Sequence, residues 1–204
     1  MYLPLTPQTA VCSAWRLCWP RPGRELLRIR YSRTFPISHP STRLCLELLS
    51  LACQERRFAS LLDVGCGSGI LALAGAILGV PFIVGCDLSA AAVRVSQENA
   101  HRHHLAAQVC WLQGSTEALQ PGFHLIVANL PFQVQLAKLE ELLRLSQRPG
   151  GIIVSGFRDT REKEIADYYL SQGWRLQYRL TRDLWELEVP ADKSYTWVGL
   201  YFVS

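Results

Sequence analysis

The sequence predicts an α/β fold built on a mainly parallel sheet, and three observations carry that prediction. From Leu61 onward, apolar β-rich runs alternate with helix-like segments, an order that implies right-handed βαβ crossovers. The first run flows into a glycine-dense turn, Gly65-Cys66-Gly67-Ser68-Gly69, which opens the next helix. The second run, Pro81–Cys86, ends in an acid, Asp87. Glycines there permit positive φ and let a ligand approach the backbone. The free N–H groups at the helix start can receive a polar or anionic group, and an acid at the end of the second strand is where a ribose is held by its hydroxyls. Together these features describe a nucleotide or nucleoside cradle.

The 204 residues fit one domain of ordinary size. Residues 1–34 read as an N-terminal extension with one short strand, and residues 35–204 as the domain proper. Residues 1–24 hold Pro4, Pro7, Pro20 and Pro22 without clear periodicity, so an irregular lead-in is expected, with Trp15 and Trp19 packing on the body. Glu25–Ser32 alternates weakly and reads as the short strand. Ser41 or Thr42 can cap a helix whose apolar face is Leu44, Leu48, Leu51 and Ala52.

Next come a strand over Phe58–Val64, a helix over Ile70–Leu78 and the strand Pro81–Cys86. Ser89 then caps a helix, Ala90–Ala100, and Gln108–Leu112 is the third strand. Phe123–Ala128 is the fourth, followed by an amphipathic helix, Gln133–Ser146, with Leu136, Leu139, Leu143 and Leu145 among its apolar positions. Pro149, Gly150 and Gly151 mark a turn into a fifth strand, Ile152–Gly156. Arg161–Gln172 is the last helix, and Trp174–Thr181 with Tyr195–Val203 reads as a closing hairpin.

Composition excludes several classes. At 49% hydrophobic and 19% charged residues the chain is globular, not disordered. Net charge +4 permits an RNA partner without arguing for one. The run of Arg16, Arg21, Arg24, Arg28, Arg30, Arg33 and Arg43 fits either a basic surface or, better, a solvated strand with its flanks.

Seven cysteines form no C-x-x-C pair and no Cys/His cluster at metal spacing. No metal is expected, and a reduced, cytoplasmic setting is. Cys66, Cys86 and Cys110 read as small core residues beside apolar runs, and His101, His103 and His104 as surface residues. Pro4, Pro7 and Arg16 interrupt any signal core. Val64–Cys86 carries no charge, but its glycines and Pro81 divide it into turn, helix and strand, so no membrane span is expected.

The spacing Asp63-x-Gly65-x-Gly67-x-Gly69 differs from the G-x-G-x-x-G of dinucleotide enzymes. With Asp87 following, it resembles motif I of the class I methyltransferases that use S-adenosyl-L-methionine (SAM). That resemblance implies a Rossmann-like, seven-stranded, mostly parallel sheet with an antiparallel last strand and helices on both faces. It also implies roles. Gly65, Cys66, Gly67 and Gly69 would pass the backbone under the methionine part, Asp63 would bond its ammonium directly or through water, and Asp87 would hold the ribose. Leu88 would flank the adenine, with Ser115, Thr116 or Glu117 at its edge.

Asn129-Leu130-Pro131-Phe132 follows the fourth strand and so faces the same crevice. It resembles the N/D-x-P-F/Y motif of nitrogen-directed methyltransferases. The Asn129 side-chain oxygen and Leu130 carbonyl would accept bonds from the reacting nitrogen, Pro131 would stiffen the turn, and Phe132 would form a wall.

Taken together, H-P-S-T-R-L-C-L-E-L-L (His39–Leu49), L-L-D-V-G-C-G-S-G-I, V-G-C-D, G-S-T-E-A-L (Gly114–Leu119), L-I-V-A-N-L and R-P-G-G-I-I-V-S-G-F resemble the catalytic domain of ribosomal protein L11 methyltransferases. The resemblance implies methylation of α-amino and lysine ε-amino groups of a ribosomal protein, and adds His39 and Thr42 to the site. The chain departs from the family in three ways. Only residues 1–34 stand where a substrate-recognition domain is usual, Pro36-Ile37-Ser38 replaces a glycine–threonine–glycine turn, and Pro131-Phe132 follows the asparagine. The last departure keeps an RNA base amino group or a glutamine amide open as acceptor. A degenerate fold acting only as a binding partner is the non-enzyme alternative, and the intact Asp63, glycine turn, Asp87 and Asn129 argue against it.

Overall fold

The computed structural model describes residues 2–4, 9–13, 25–30, 38–184 and 193–204. The chain opens with three strands, β1 (Tyr2–Pro4), β2 (Thr9–Ser13) and β3 (Glu25–Ile29), which form a small sheet of their own. After helix α1 (Pro40–Glu55) come β4 (Ser60–Val64), α2 (Ile70–Ile77), β5 (Phe82–Asp87), α3 (Ala90–Arg102), β6 (Val109–Gln113) and β7 (Phe123–Asn129). Then follow α4 (Phe132–Ala137), α5 (Leu139–Leu145), β8 (Ser146–Arg158), α6 (Glu162–Ser171), β9 (Arg175–Asp183) and β10 (Thr196–Val203).

The main sheet has seven strands in the order β6-β5-β4-β7-β8-β10-β9. Strands β4 to β8 are parallel, and β10 runs antiparallel to both neighbours, β8 and β9. The expected Rossmann-like sheet with its reversed last strand is the one observed.

Side chains alternate across the strands, and each face buries its own core. Leu61, Ile83, Leu125 and Ile153 pack under the leucines of α1 and the apolar residues of α2. Their strand neighbours Leu62, Val84, Ile126 and Val154 pack under Leu142 and Leu145 of α5 and Ile165 and Tyr169 of α6. Helices therefore cover both faces. The order reverses at β4, with β5 on one side and β7 on the other, and the resulting crevice opens at the carboxyl ends of the parallel strands.

Several local expectations are corrected. Residues 1–24 are not wholly irregular, because β1 and β2 lie within them and β2 pairs with β3 in parallel; Trp15 and Trp19 lie outside the described residues. Helix α1 is capped neither by Ser41 nor by Thr42 but by His39, whose ring nitrogen accepts from the Ser41 N–H at 3.3 Å, with Pro40 in the first turn. Ser41 and Thr42 are buried instead.

The single helix expected over Gln133–Ser146 is two, broken at Lys138, whose side chain leaves to meet Ser115 and Glu117. The fifth parallel strand is longer than Ile152–Gly156. Pairing begins at Phe123 with Ser146 and resumes at Leu125 with Gly151, so Pro149 and Gly150 sit in a bulge inside β8. Only glycine fits at Gly150, where a Cβ would lie 2.0 Å from the Gln147 carbonyl oxygen. Cys110 is exposed, because β6 is an edge strand, while Cys66 and Cys86 are buried as expected. Among the described residues no helix is long and apolar enough to cross a membrane.

Candidate active site

The glycine turn is held from three directions. The N–H groups of Gly65 and Cys66 both donate to the Cys86 carbonyl at the end of β5, at 2.9 and 3.0 Å. Asp87, the next residue, accepts from Gly67 N–H at 3.0 Å with one carboxylate oxygen and from Ser89 N–H at 2.9 Å with the other. From α3, the Ser96 hydroxyl donates to the Gly67 carbonyl at 3.1 Å and the Asn99 amide to the Ser68 carbonyl at 2.9 Å. Gly65, Gly67 and Gly69 all have positive φ. A Cβ on Gly69 would also come within 2.6 Å of the Trp111 ring.

Opposite stands the loop after β7. The Leu130 N–H donates to the Ser155 carbonyl at 3.0 Å, and the loop packs against Gly156, where φ is +101° and a Cβ would lie 2.1 Å from the Leu130 oxygen. On its other side, Leu130 fills the space that a Cβ on Gly65 would take. Two glycines thus let this loop and the glycine turn approach each other.

Between them lies a cavity of about 390 Å³. Of the residues expected from the sequence, Thr42, Gly65, Cys66, Gly67, Asp87, Leu88, Ser115, Thr116, Asn129, Leu130 and Pro131 line it. Asn129 is oriented by Thr42, its amide nitrogen donating to the threonine hydroxyl at 3.3 Å. Its side-chain oxygen is buried without a hydrogen-bond partner, the state of an acceptor awaiting a donor. Leu88 stands 75% exposed at the rim, an apolar surface with nothing packed over it.

His39, Asp63, Gly69 and Phe132 do not line the cavity. His39 caps α1, bonds the Ser41 hydroxyl at 2.8 Å and stands edge-on to Trp197, which fixes the helix start that carries Thr42. Phe132 lies under the Arg161 guanidinium. Asp63 is buried beneath the turn, with one oxygen accepting from Ala72 N–H at 3.0 Å and the other unpartnered. Burial pushes its carboxyl up to about 7. The Ala72 N–H opposes this and the charge on Asp87 adds to it.

The sequence did not single out Lys138 or Val134, which also stand in the wall. Lys138 donates to the Ser115 hydroxyl at 3.0 Å and pairs with Glu117, whose carboxyl it holds down at about 2. A lysine on a helix reads as solvated, so only the tertiary fold reveals it. Gly156 had a visible signal, a glycine inside an apolar strand run. Among the described residues no group of three or more His, Cys, Asp or Glu is placed to hold a metal.

A doubly wound sheet with a reversed penultimate strand in space, a glycine turn tied to an acid and a ligand cavity above both defines the class I, Rossmann-like methyltransferase fold. The model of the family described as ribosomal protein L11 methyltransferase (PrmA) matches residues 37–189, and the chain belongs to that family. A ribosomal protein L11 methyltransferase of Neisseria meningitidis serogroup A is 38% identical over 149 residues, covering 72% of this chain and 48% of that protein. One from Caulobacter sp. (strain K31) is 32% identical over 169 residues, covering 78% and 57%. The chain therefore spans about half the length of these relatives. The crystal structure of a ribosomal protein L11 methylase from Lactobacillus delbrueckii subsp. bulgaricus superposes with a TM-score of 0.79 over 98% of this chain and 97% of that one, at 23% identity. That likeness is one of fold.

Proposed function

We propose that the chain is a SAM-dependent N-methyltransferase acting on amino groups of a ribosomal protein of the L11 kind. One observation carries the nitrogen specificity: the Asn129 side-chain oxygen stands buried and unpartnered at the cavity wall while Thr42 anchors its amide nitrogen. That oxygen can accept from an amine but cannot deprotonate it, so its work is alignment.

The residues fit the cofactor. The backbone of Gly65, Cys66 and Gly67 lines the cavity and would receive its methionine part, while Asp63, buried beneath the turn and outside the lining, would hold that backbone in place rather than touch the ammonium. Asp87 keeps lone pairs for ribose hydroxyls beyond the two backbone bonds it accepts. Leu88 and Val134 offer apolar surface to the adenine, with Ser115 and Thr116 at its edge. When bound, SAM supplies a methyl group already activated as a sulfonium. The protein then has to hold a neutral amine in line and keep water from the cavity. Leu130 and Pro131 form the wall that does the latter. A ribosomal-protein acceptor would place the reaction in the cytoplasm.

The test offers tritium-labelled SAM and the protein to undermethylated ribosomal proteins and, separately, to rRNA and tRNA. Label in a small ribosomal protein is expected. Label confined to RNA would overturn the acceptor and transfer the role of Asn129–Phe132 to a base amino group. No label in either would overturn both.

A further inference from the structure

Asn99 lies at the end of α3, fully buried, and takes no part in lining the cavity. Its side chain makes three hydrogen bonds to two segments far apart in sequence. The oxygen accepts from Arg30 N–H at 2.9 Å, and the amide nitrogen donates to the Arg30 carbonyl at 2.6 Å. A carboxamide that meets both groups of one residue copies what a neighbouring strand would do. The second amide hydrogen donates to the Ser68 carbonyl at 2.9 Å, inside the glycine turn. One turn of helix earlier, Ser96 holds the Gly67 carbonyl, so two successive carbonyls of the turn rest on α3.

The residues before Arg30 are fixed to the same helix. Ile29 is fully buried in the core beneath α1 and α2, and the His103 ring bonds the Arg28 carbonyl at 2.8 Å. The end of β3 and the glycine turn therefore share one rigid support, and Asn99 is the group that touches both.

We propose that Asn99 is a positioning residue that couples the seating of the N-terminal strand segment to the conformation of the glycine turn, and through it to cofactor affinity. The cofactor part of this inference rests on the function proposed above; the coupling itself does not. Seating one segment satisfies part of a buried amide that must be fully satisfied to hold the other, and an amide left half-bonded in the interior is disfavoured. Linkage makes the effect reciprocal: ligand on the turn must steady Arg30, and loss of Arg30 must loosen the turn.

Hydrogen exchange on the full chain tests both directions. In the ligand-free protein, Arg30→Pro removes the N–H that Asn99 receives, and the Gly69 amide, 2.7 Å from the Cys66 carbonyl, is expected to exchange about tenfold faster. Unchanged exchange at Gly69 in a variant that still melts cooperatively would overturn the coupling whether or not any ligand binds.

In the wild type, saturating S-adenosylhomocysteine is expected to slow exchange at Arg30 as well as in the turn. Asn99→Leu should abolish the Arg30 response and weaken binding about tenfold or more. Ser96→Ala, which releases the Gly67 carbonyl and the Cys66 thiol but leaves Asn99 bonded to Ser68 and Arg30, should retain the Arg30 response. Protection of the turn without protection of Arg30 overturns the proposal. Absence of binding to the wild type overturns the cofactor reading, and the Gly69 measurement then decides the coupling alone.

Discussion

Asp87 and Asn129 stand on opposite walls of the same cavity, and their bonds predict opposite kinetic signatures. Each oxygen of Asp87 accepts a backbone N–H, so Asp87→Ala would remove the proposed ribose contacts and also free Gly67 and Ser89. Hydrogen bonds to a charged group contribute about 1.5–3 kcal/mol each. Calorimetry should therefore show S-adenosylhomocysteine affinity falling by about tenfold to a hundredfold or more. Asn129→Ala removes an acceptor and a single bond to Thr42, so affinity should stay within a few-fold while kcat falls by about a hundredfold or more. The reverse pattern would exchange the two roles.

Asp63 predicts a pH effect whose sign is fixed. Its carboxyl rises on folding from 3.8 to about 7, chiefly through burial, so the folded state binds the extra proton. The stability this contributes is fully present below about pH 4 and is lost as the pH rises to 7. Urea melts of the ligand-free protein should show the wild type losing on the order of 4 kcal/mol relative to Asp63→Asn between pH 4 and pH 8. A constant difference across that range would mean that Asp63 is ionised in its buried place. At this scale the sequence was informative about identity and silent about posture. It selected Asp63, His39 and Phe132, and only the structure shows that these residues support the wall without forming it.

Elements were legible where local pattern and tertiary packing agree. The runs that became β4, β5 and β7 are apolar on both faces because helices cover both, and the glycine turn announced the start of α2. Legibility failed where a side chain left its local periodicity for a distant partner. One predicted helix divides into α4 and α5 at Lys138, whose side chain reaches Ser115, and the Pro149-Gly150 signal that reads as a loop is absorbed as a bulge in β8.

Strand β8 also gives the prediction that belongs to this scale. Gly156→Ala would place a methyl 2.1 Å from the Leu130 oxygen at a φ of +101°. Backbone strain alone costs about 1–3 kcal/mol. Since the loop that follows Asn129 must shift to relieve the contact, kcat should fall further than ligand affinity. Equal losses in both would mean that the shift spreads across to the glycine turn.

At the scale of the whole molecule, the direction of each parallel strand was readable from the alternation of runs, but the place of β10 was not. Its sequence carries an ordinary strand pattern, and insertion between β8 and β9 depends on long-range pairing that no local window contains; the resemblance to class I methyltransferases supplied it. The small N-terminal sheet escaped notice for a related reason. Its β1 and β2 are short, and β2 pairs in parallel with β3 across an intervening stretch, so no tight-turn signal announces them.

The reversal of β10 has a consequence for how such a molecule can change over generations. Because β10 runs against its neighbours, it is its beginning, Thr196 and Trp197, that reaches the crevice end of the sheet, where Trp197 meets both His39 and Arg158. On the function proposed above, β4, β5 and β6 bring the cofactor-side residues to that end, and β7 brings Asn129 of the acceptor side, with β8 and β10 behind it and outside the cavity lining. Inheritance can therefore vary the second group, strand ends and flanking loops together, while the first is kept intact. A lineage could exchange one methyl acceptor for another without passing through ancestors that had lost their hold on the donor.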